Sequence, residues 1–350
     1  MKTLMEKEAL ESPEIVEKQI IENQTQIKKI ADIIREKKPL FAMTIGRGTS
    51  DNACNYAKYL IETQMGLVTA SAAPSVVTLY KKPLKLQNAL VIGVSQSGKS
   101  PDICGVMQEA REQGAITIAV LNKVNSPLAK RAEFVIPVHA GEEKAVAATK
   151  TFIASLSVIV HLIAEITADS LLLKALKQLP KILEQAVCCD WSQAIPFYQN
   201  IIRTYVIARG FSYPIAEEAA LKFKETASIH AESFSSADVM HGPLTLVKPS
   251  HPLLLFSQQD EMLKLLVEGI KKFNAMGSYP IMGVNNGMLK MYPELRDLLS
   301  IALPIPESVH SALDPISQIQ AFYPFMANLA VSLGKNPDAP EHLKKVTETI

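Results

Sequence analysis

Short apolar runs separated by amphipathic stretches set the layout of this chain. Residues 40–45, 68–72, 89–94, 116–121 and 134–138 are nearly continuous in apolar and β-branched side chains, the pattern of strands buried on both faces. Between them, residues 51–64 and 101–113 carry apolar positions at helical spacing. This alternation predicts a parallel sheet covered by helices on both faces. Ahead of it, residues 13–37 space Ile15, Ile20, Ile27, Ile30, Ile33 and Ile34 among charges, an amphipathic helix that needs a surface to dock on. Helical spacing returns over residues 147–165 and in a Leu- and Lys-rich stretch up to Val187, which bridges to a second unit.

There the pattern restarts. Residues 205–208 match 42–45, residues 253–256 match 90–94, and residues 280–284 match 117–121. A Gly-containing turn follows the first strand of each copy, Gly46-Arg47-Gly48-Thr49-Ser50 in one and Arg209-Gly210-Phe211-Ser212 in the other. The expected fold class is α/β, two tandem doubly wound domains of flavodoxin type. The boundaries read as a helical arm over 1–38, a first domain over 39–190, a second over 191–335 and a tail over 336–350.

The hexapeptide Ser95-Gln96-Ser97-Gly98-Lys99-Ser100 follows one apolar run and leads into Pro101, a strand-to-helix connection at the carboxyl edge of the first sheet. Open α/β sheets bind ligands at that edge. Three hydroxyls, a flexible Gly and free helix N–H groups suit a phosphate-sized anion, and Lys99 adds positive charge. The loop lacks the spacing of a nucleotide-triphosphate cradle, so a monophosphate fits better. An ordinary turn with Ser100 as helix cap is the competing reading. Its counterpart in the second copy, Ser257-Gln258-Gln259-Asp260, has no Gly and carries a carboxylate, so one phosphate site per chain is expected.

Thirty-six basic and thirty-five acidic side chains leave a net charge of +1, so no global field favours nucleic acid or an anionic membrane. The first twelve residues are charged and lack the apolar core of a secretory signal, and the longest apolar stretch, 152–166, is interrupted by His161 and Glu165. Four cysteines, Cys54, Cys104, Cys188 and Cys189, show no metal-ligand spacing. Reduced thiols and a cytoplasmic location are the expectation, with neither nucleic acid nor membrane as partner.

Gly48-Thr49-Ser50, Ser95-Gln96-Ser97-Gly98, the helix around Leu221–Glu225 with Ile229-His230-Ala231-Glu232, and His241-Gly242-Pro243-Leu244 occur in that order. Together they resemble sugar isomerase (SIS) domain proteins, in particular the isomerase half of glucosamine-6-phosphate synthase, from about residue 39 to the C-terminus. The resemblance implies that Thr49, Ser50, Ser95, Gln96, Ser97 and Ser100 bind phosphate or sugar hydroxyls. Taken without it, Thr49 and Ser50 serve equally well as caps of the following helix. Lys99 departs from the synthase, where an acidic residue is usual. Val146, in Val146-Ala147-Ala148-Thr149-Lys150, corresponds to a loop lining the sugar through backbone groups; on its own, Thr149 reads as a cap and Lys150 as a solvated charge.

On a helix expected over residues 216–230, Glu218, Lys222 and Glu225 are spaced four and three apart and share one face, while Ala216, Ala220, Phe223 and Ala227 form an apolar one. Such a stripe is ordinarily a solvated ion-pair face. The resemblance instead makes Glu225 the carrier of hydrogen between carbons 1 and 2 of an open-chain sugar, with Glu218 and Lys222 in support. It makes His241 the acid-base group that opens the sugar ring in a neighbouring subunit's site, hence at least a dimer. By register from Pro340 it makes Lys345, next to Lys344, the lysine that meets the open-chain carbonyl. His230 is expected to hydrogen-bond in the core and Glu232 to be structural.

The synthase's glutaminase begins with a nucleophilic cysteine at position 2, where this chain has Lys, and only about forty residues precede the first strand. The loop Ser-Gln-Ser-Gly-Lys-Ser-Pro-Asp and a tail of the form His-Leu-x-Lys-Val-Thr resemble a deaminase branch. The expected activity is therefore release of ammonia from glucosamine 6-phosphate, with no metal or cofactor. The alternatives are a deglycase acting on an amino-acid adduct of a sugar 6-phosphate, and a sugar-phosphate sensor.

Overall fold

The computed structural model describes residues 2–345; Val346 and Thr347 of the expected tail motif lie outside them. Two compact units emerge, neither contiguous in sequence. One comprises residues 14–143, 150–177 and 344–345, the other residues 2–13, 144–149 and 178–343.

The first unit is built on five parallel strands, β1 (Phe41–Ile45), β2 (Thr69–Ser71), β3 (Ala89–Ser95), β4 (Ile116–Leu121) and β5 (Phe134–Pro137), in the order β2-β1-β3-β4-β5. Every residue of β3 and β4 is buried, which is why these segments read as unbroken apolar runs. The second unit repeats the plan with β6 (Arg203–Ala208), β7 (His230–Ser235), β8 (Pro252–Leu255), β9 (Tyr279–Val284) and β10 (Ile301–Pro304), ordered β7-β6-β8-β9-β10 and parallel throughout. Strand by strand this is the same topology. In both, the chain leaves the first strand in one direction and the third in the other, so a topological switch point lies between β1 and β3, and another between β6 and β8.

The N-terminal region is two helices, α1 (Leu4–Leu10) and α2 (Ser12–Lys37). The docking surface that α2 needs is the first unit. Gln19 Nε2 donates to the carbonyls of Val138 and Ala154, each at 2.9 Å, and Asn23 Nδ2 to that of Pro137 at 2.8 Å. Lys150–Thr167 forms a helix long and apolar enough to cross a membrane, and 94% of it is buried inside the protein. It begins three residues later than the sequence pattern suggests, and Lys150 is buried at 3% exposure instead of solvated.

Two local expectations are corrected in the second unit. The helix Tyr213–Ala227 does not continue to His230: Ser228 takes a left-handed φ of 56°, its N–H returns to Phe223 O, and the chain turns into β7. His230 opens that strand and is exposed, so it is not a core hydrogen-bonding residue.

Candidate functional site

At the switch point of the first unit, the turn after β1 and the turn after β3 are neighbours, since Ile45 pairs with Gly93. Thr49 and Ser50 open the helix Thr49–Met65, both half-buried. Gly48, at φ 54°, holds the cap position, and no side-chain hydrogen bond caps this helix. Gly46 leaves no room for a side chain, because a Cβ there would lie 2.6 Å from Ser50 O. In the hexapeptide, Ser95 Oγ accepts the Gly98 N–H at 3.0 Å, and Ser100 precedes Pro101–Glu112 without a side-chain cap bond. Gln96 and Ser97 are half-buried and Lys99 is exposed.

The two turns are tied by a pair the sequence pattern did not flag. Asp102 is buried, and its Oδ2 receives Arg47 Nε at 2.9 Å and Nη2 at 2.7 Å, while Oδ1 accepts the Ile103 N–H. They lie 55 positions apart, so no local spacing reveals this contact. The unit thus gathers Thr49, Ser50, Ser95, Gln96, Ser97 and Ser100 on adjacent turns at one sheet edge.

Gly98 sets the shape of this turn. Its φ is 62°, and a Cβ would sit 2.2 Å from Ser126 Oγ and 2.7 Å from Ser126 Cβ. Ser126 is buried and its hydroxyl caps Pro127–Arg131, so it cannot swing aside. If this turn holds phosphate, as the resemblance implies, Gly98→Ala is expected to weaken binding of inorganic phosphate about tenfold or more through combined backbone strain and clash; calorimetric titration checks this, and unchanged affinity would place the phosphate elsewhere.

The corresponding switch point of the second unit is filled by its own side chains. Gln258, fully buried, accepts the Ser212 N–H through Oε1 at 3.2 Å and donates to Asp260 Oδ1 at 3.1 Å, while Asp260 caps Glu261–Ala275. The Gln259 N–H is taken by Oδ2 of Asp314, itself bonded to the Ser308 hydroxyl. Burial raises the Asp314 carboxyl to about 7, against lowering by the Ser308 and Gln259 donors and with help from nearby Asp260 and Glu307. Because the folded value lies above the unfolded one, the native state holds the extra proton, and its contribution to stability is full below about pH 4 and lost as pH rises to about 7. Asp314→Asn is expected to flatten that part of the stability profile measured by denaturant titration.

The helix Tyr213–Ala227 carries the other cluster. Glu218 and Lys222 are both buried, so the Glu-Lys-Glu stripe is not a solvated face. Lys222 Nζ lies 3.3 Å from Glu218 Oε1 and 2.6 Å from Glu225 Oε2, and Tyr323 donates its hydroxyl to Glu218 Oε1 at 3.1 Å. Burial alone would lower the Lys222 ammonium; Glu218 and Glu225 outweigh it and raise it above the usual lysine range. Glu225 is 23% exposed and lines a pocket of about 550 Å³ together with Lys224, Ser228, Lys335, Asn336 and His342. One carboxylate oxygen is thus fixed on Lys222 while the side chain borders open space, an arrangement in which a base is held at one end and usable at the other. His241 follows a short turn of helix, precedes Gly242 and is exposed.

Val146 is half-buried and its N–H donates to Asp338 O at 3.0 Å, so that backbone group is already engaged. Lys345 Nζ lies 3.0 Å from Oε2 of buried Glu143, whose Oε1 accepts the Thr151 N–H. Sequence spacing did not single out Glu143 or Tyr323, since both act on residues more than a hundred positions away. Among the described residues no group of three or more His, Cys, Asp or Glu is placed to hold a metal ion.

Comparison with known proteins adds three findings. The SIS domain family matches residues 33–165 and 197–287. The chain is 29% identical over 349 residues to the glutamine--fructose-6-phosphate aminotransferase [isomerizing] of Pyrococcus horikoshii, covering 97% of this chain and 57% of that one. It therefore spans somewhat over half the length of that relative. Two solved structures share the fold: a protein from Silicibacter pomeroyi assigned as a phosphosugar isomerase (36% identity, TM-score 0.87, 96% of this chain and 100% of that one), and the C-terminal domain of glucosamine-fructose-6-phosphate aminotransferase from Francisella tularensis (25%, TM-score 0.84, 97% and 99%).

Proposed function

Since the chain belongs to the SIS domain family, we propose that it is a sugar-phosphate isomerase that acts as a glucosamine-6-phosphate deaminase, converting glucosamine 6-phosphate and water to fructose 6-phosphate and ammonia. The observation that carries this reading is Glu225, a partly exposed carboxylate on a pocket wall with one oxygen anchored by a buried lysine. The turns around Ser95–Ser100 hold the phosphate. His241 moves the proton at the ring oxygen as the sugar opens to its C1 aldehyde. Glu225 removes the hydrogen from C2, giving a C1–C2 enediol-type intermediate that bears the amine, and returns it to C1. The product has CH₂OH at C1 and an iminium at C2. Water adds at C2, and ammonia leaves as the C2 carbonyl forms. Lys345, an ammonium positioned on Glu143, steadies the developing negative charge at the carbonyl oxygen.

The deaminase direction is supported by Lys99 in the phosphate loop and by the His342-Leu343-Lys344-Lys345 tail, which resemble that branch of the family. One feature favours a second reading: the pocket beside Glu225 is larger than ammonia requires, and Lys224 and Lys335 on its wall suit a carboxylate. This is what a deglycase with an amino-acid leaving group would use. Purified protein offered glucosamine 6-phosphate, N-acetylglucosamine 6-phosphate and fructoselysine 6-phosphate tests both. Ammonia and fructose 6-phosphate from the first substrate support the deaminase, turnover of the lysine adduct alone moves the assignment to the deglycase, and binding without turnover leaves a sensor.

A further inference from the structure

Two carboxylates far from the Glu225 cluster in sequence each take two backbone N–H groups and so join three chain segments. Asp338 accepts Leu4 N–H at Oδ2 (2.9 Å) and Met5 N–H at Oδ1 (2.8 Å), fastening the first turn of α1 to the C-terminal tail. Its own carbonyl accepts the Val146 N–H at 3.0 Å. Glu8 of α1, buried at 5% exposure, accepts the N–H groups of Lys144 at 2.5 Å and Ala145 at 3.1 Å. The helix is held on its other side by Gln320 Nε2, which donates to Ala9 O at 2.9 Å. Helix, loop and tail thus close a ring of contacts in which each segment touches the other two.

Residues 335–340 form no helix or strand, and Pro337 and Pro340 have no N–H to donate. From Asp338 the chain runs directly to Lys345, and the loop pinned by Glu8 begins next to Glu143, the carboxylate on which Lys345 rests. We propose that Asp338 and Glu8 are positioning residues for the reaction, using α1 as a clasp that fixes the loop at Val146 and the course of the tail toward Lys345. The N-terminal helix is then part of the catalytic apparatus without touching substrate. This inference rests on the functional reading given above for Val146 and Lys345.

Asp338→Ala, Asp338→Asn and Glu8→Gln in the full chain test it, with hydrogen–deuterium exchange and steady-state kinetics on glucosamine 6-phosphate read together. Asp338→Ala is expected to raise exchange both over residues 144–149 and over 336–345, and to lower kcat about 10- to 100-fold. Inorganic phosphate should still bind within about twofold, because its loops belong to the other unit. Asp338→Asn keeps one acceptor oxygen and should recover part of the loss. Glu8→Gln should act in the same direction, which covers the case of an alanine variant that does not fold. Faster exchange confined to residues 2–11, or a loosened tail with unchanged kcat, would overturn the proposal. A wild-type protein that turns over no sugar phosphate would instead overturn the functional reading, and the exchange result would still decide whether the clasp exists.

Discussion

Glu225→Gln is expected to lower kcat for glucosamine 6-phosphate by about 10²–10⁴-fold, the range attributed to a positioned general base, while sugar-phosphate binding stays near its wild-type level. The substitution keeps the size of the side chain and an oxygen able to face Lys222, whose Nζ lies 2.6 Å from Glu225 Oε2. What it removes is the capacity to take a hydrogen from one carbon and give it to the next. The turns proposed to hold the phosphate contain no part of this helix, so product affinity measured with fructose 6-phosphate should change little. Equal loss of binding and turnover would mean that Glu225 shapes the site without carrying hydrogen, and retained turnover would remove it from the mechanism.

Lys222→Met carries the largest expected stability cost. The ammonium is 1% exposed between Glu218 Oε1 at 3.3 Å and Glu225 Oε2 at 2.6 Å, and Glu218 is wholly buried. Methionine matches the stem but leaves a buried carboxylate without its counter-charge, a change that costs about 3–5 kcal/mol when one partner of a buried pair is removed. The cost belongs to the stranded charge more than to the lost contact. Glu218→Gln in the same chain should therefore recover most of it, and a double-mutant cycle by denaturant unfolding measures the coupling. A loss below about 1 kcal/mol for Lys222→Met would show that Glu218 is held chiefly by its other donors, Tyr323 among them.

The strands of both sheets were largely legible because parallel strands buried on two faces must be continuously apolar, as Ala89–Ser95 and Ile116–Leu121 are. The edge strands of the second sheet were not, although runs 68–72 and 134–138 marked those of the first. His230–Ser235 is half-exposed and polar, so its residues read as an extension of the helix before it, and Ile301–Pro304 is too short to stand out. The turn proposed to hold phosphate was singled out by Gly and hydroxyl residues packed into six positions, a signal local in sequence. The burial of Glu218 and Lys222 was not readable, since a four-residue spacing of opposite charges looks the same on a wet face as in a core, and only the packing of the helix Asp314–Ser332 with its Tyr323 decides. Arg47 with Asp102, Lys345 with Glu143, and α1 with Asp338 are pairs made by topology alone. Sequence spacing carries no trace of them.

The most direct test of the central claim is proton NMR of glucosamine 6-phosphate incubated with purified protein in deuterium oxide. Ammonium and fructose 6-phosphate are expected in equal amounts, with deuterium entering C1 of the ketose in wild-type protein and conversion slowed at least about a hundredfold with Glu225→Gln. Unchanged substrate with wild-type protein, or conversion at the wild-type rate with Glu225→Gln, would contradict it.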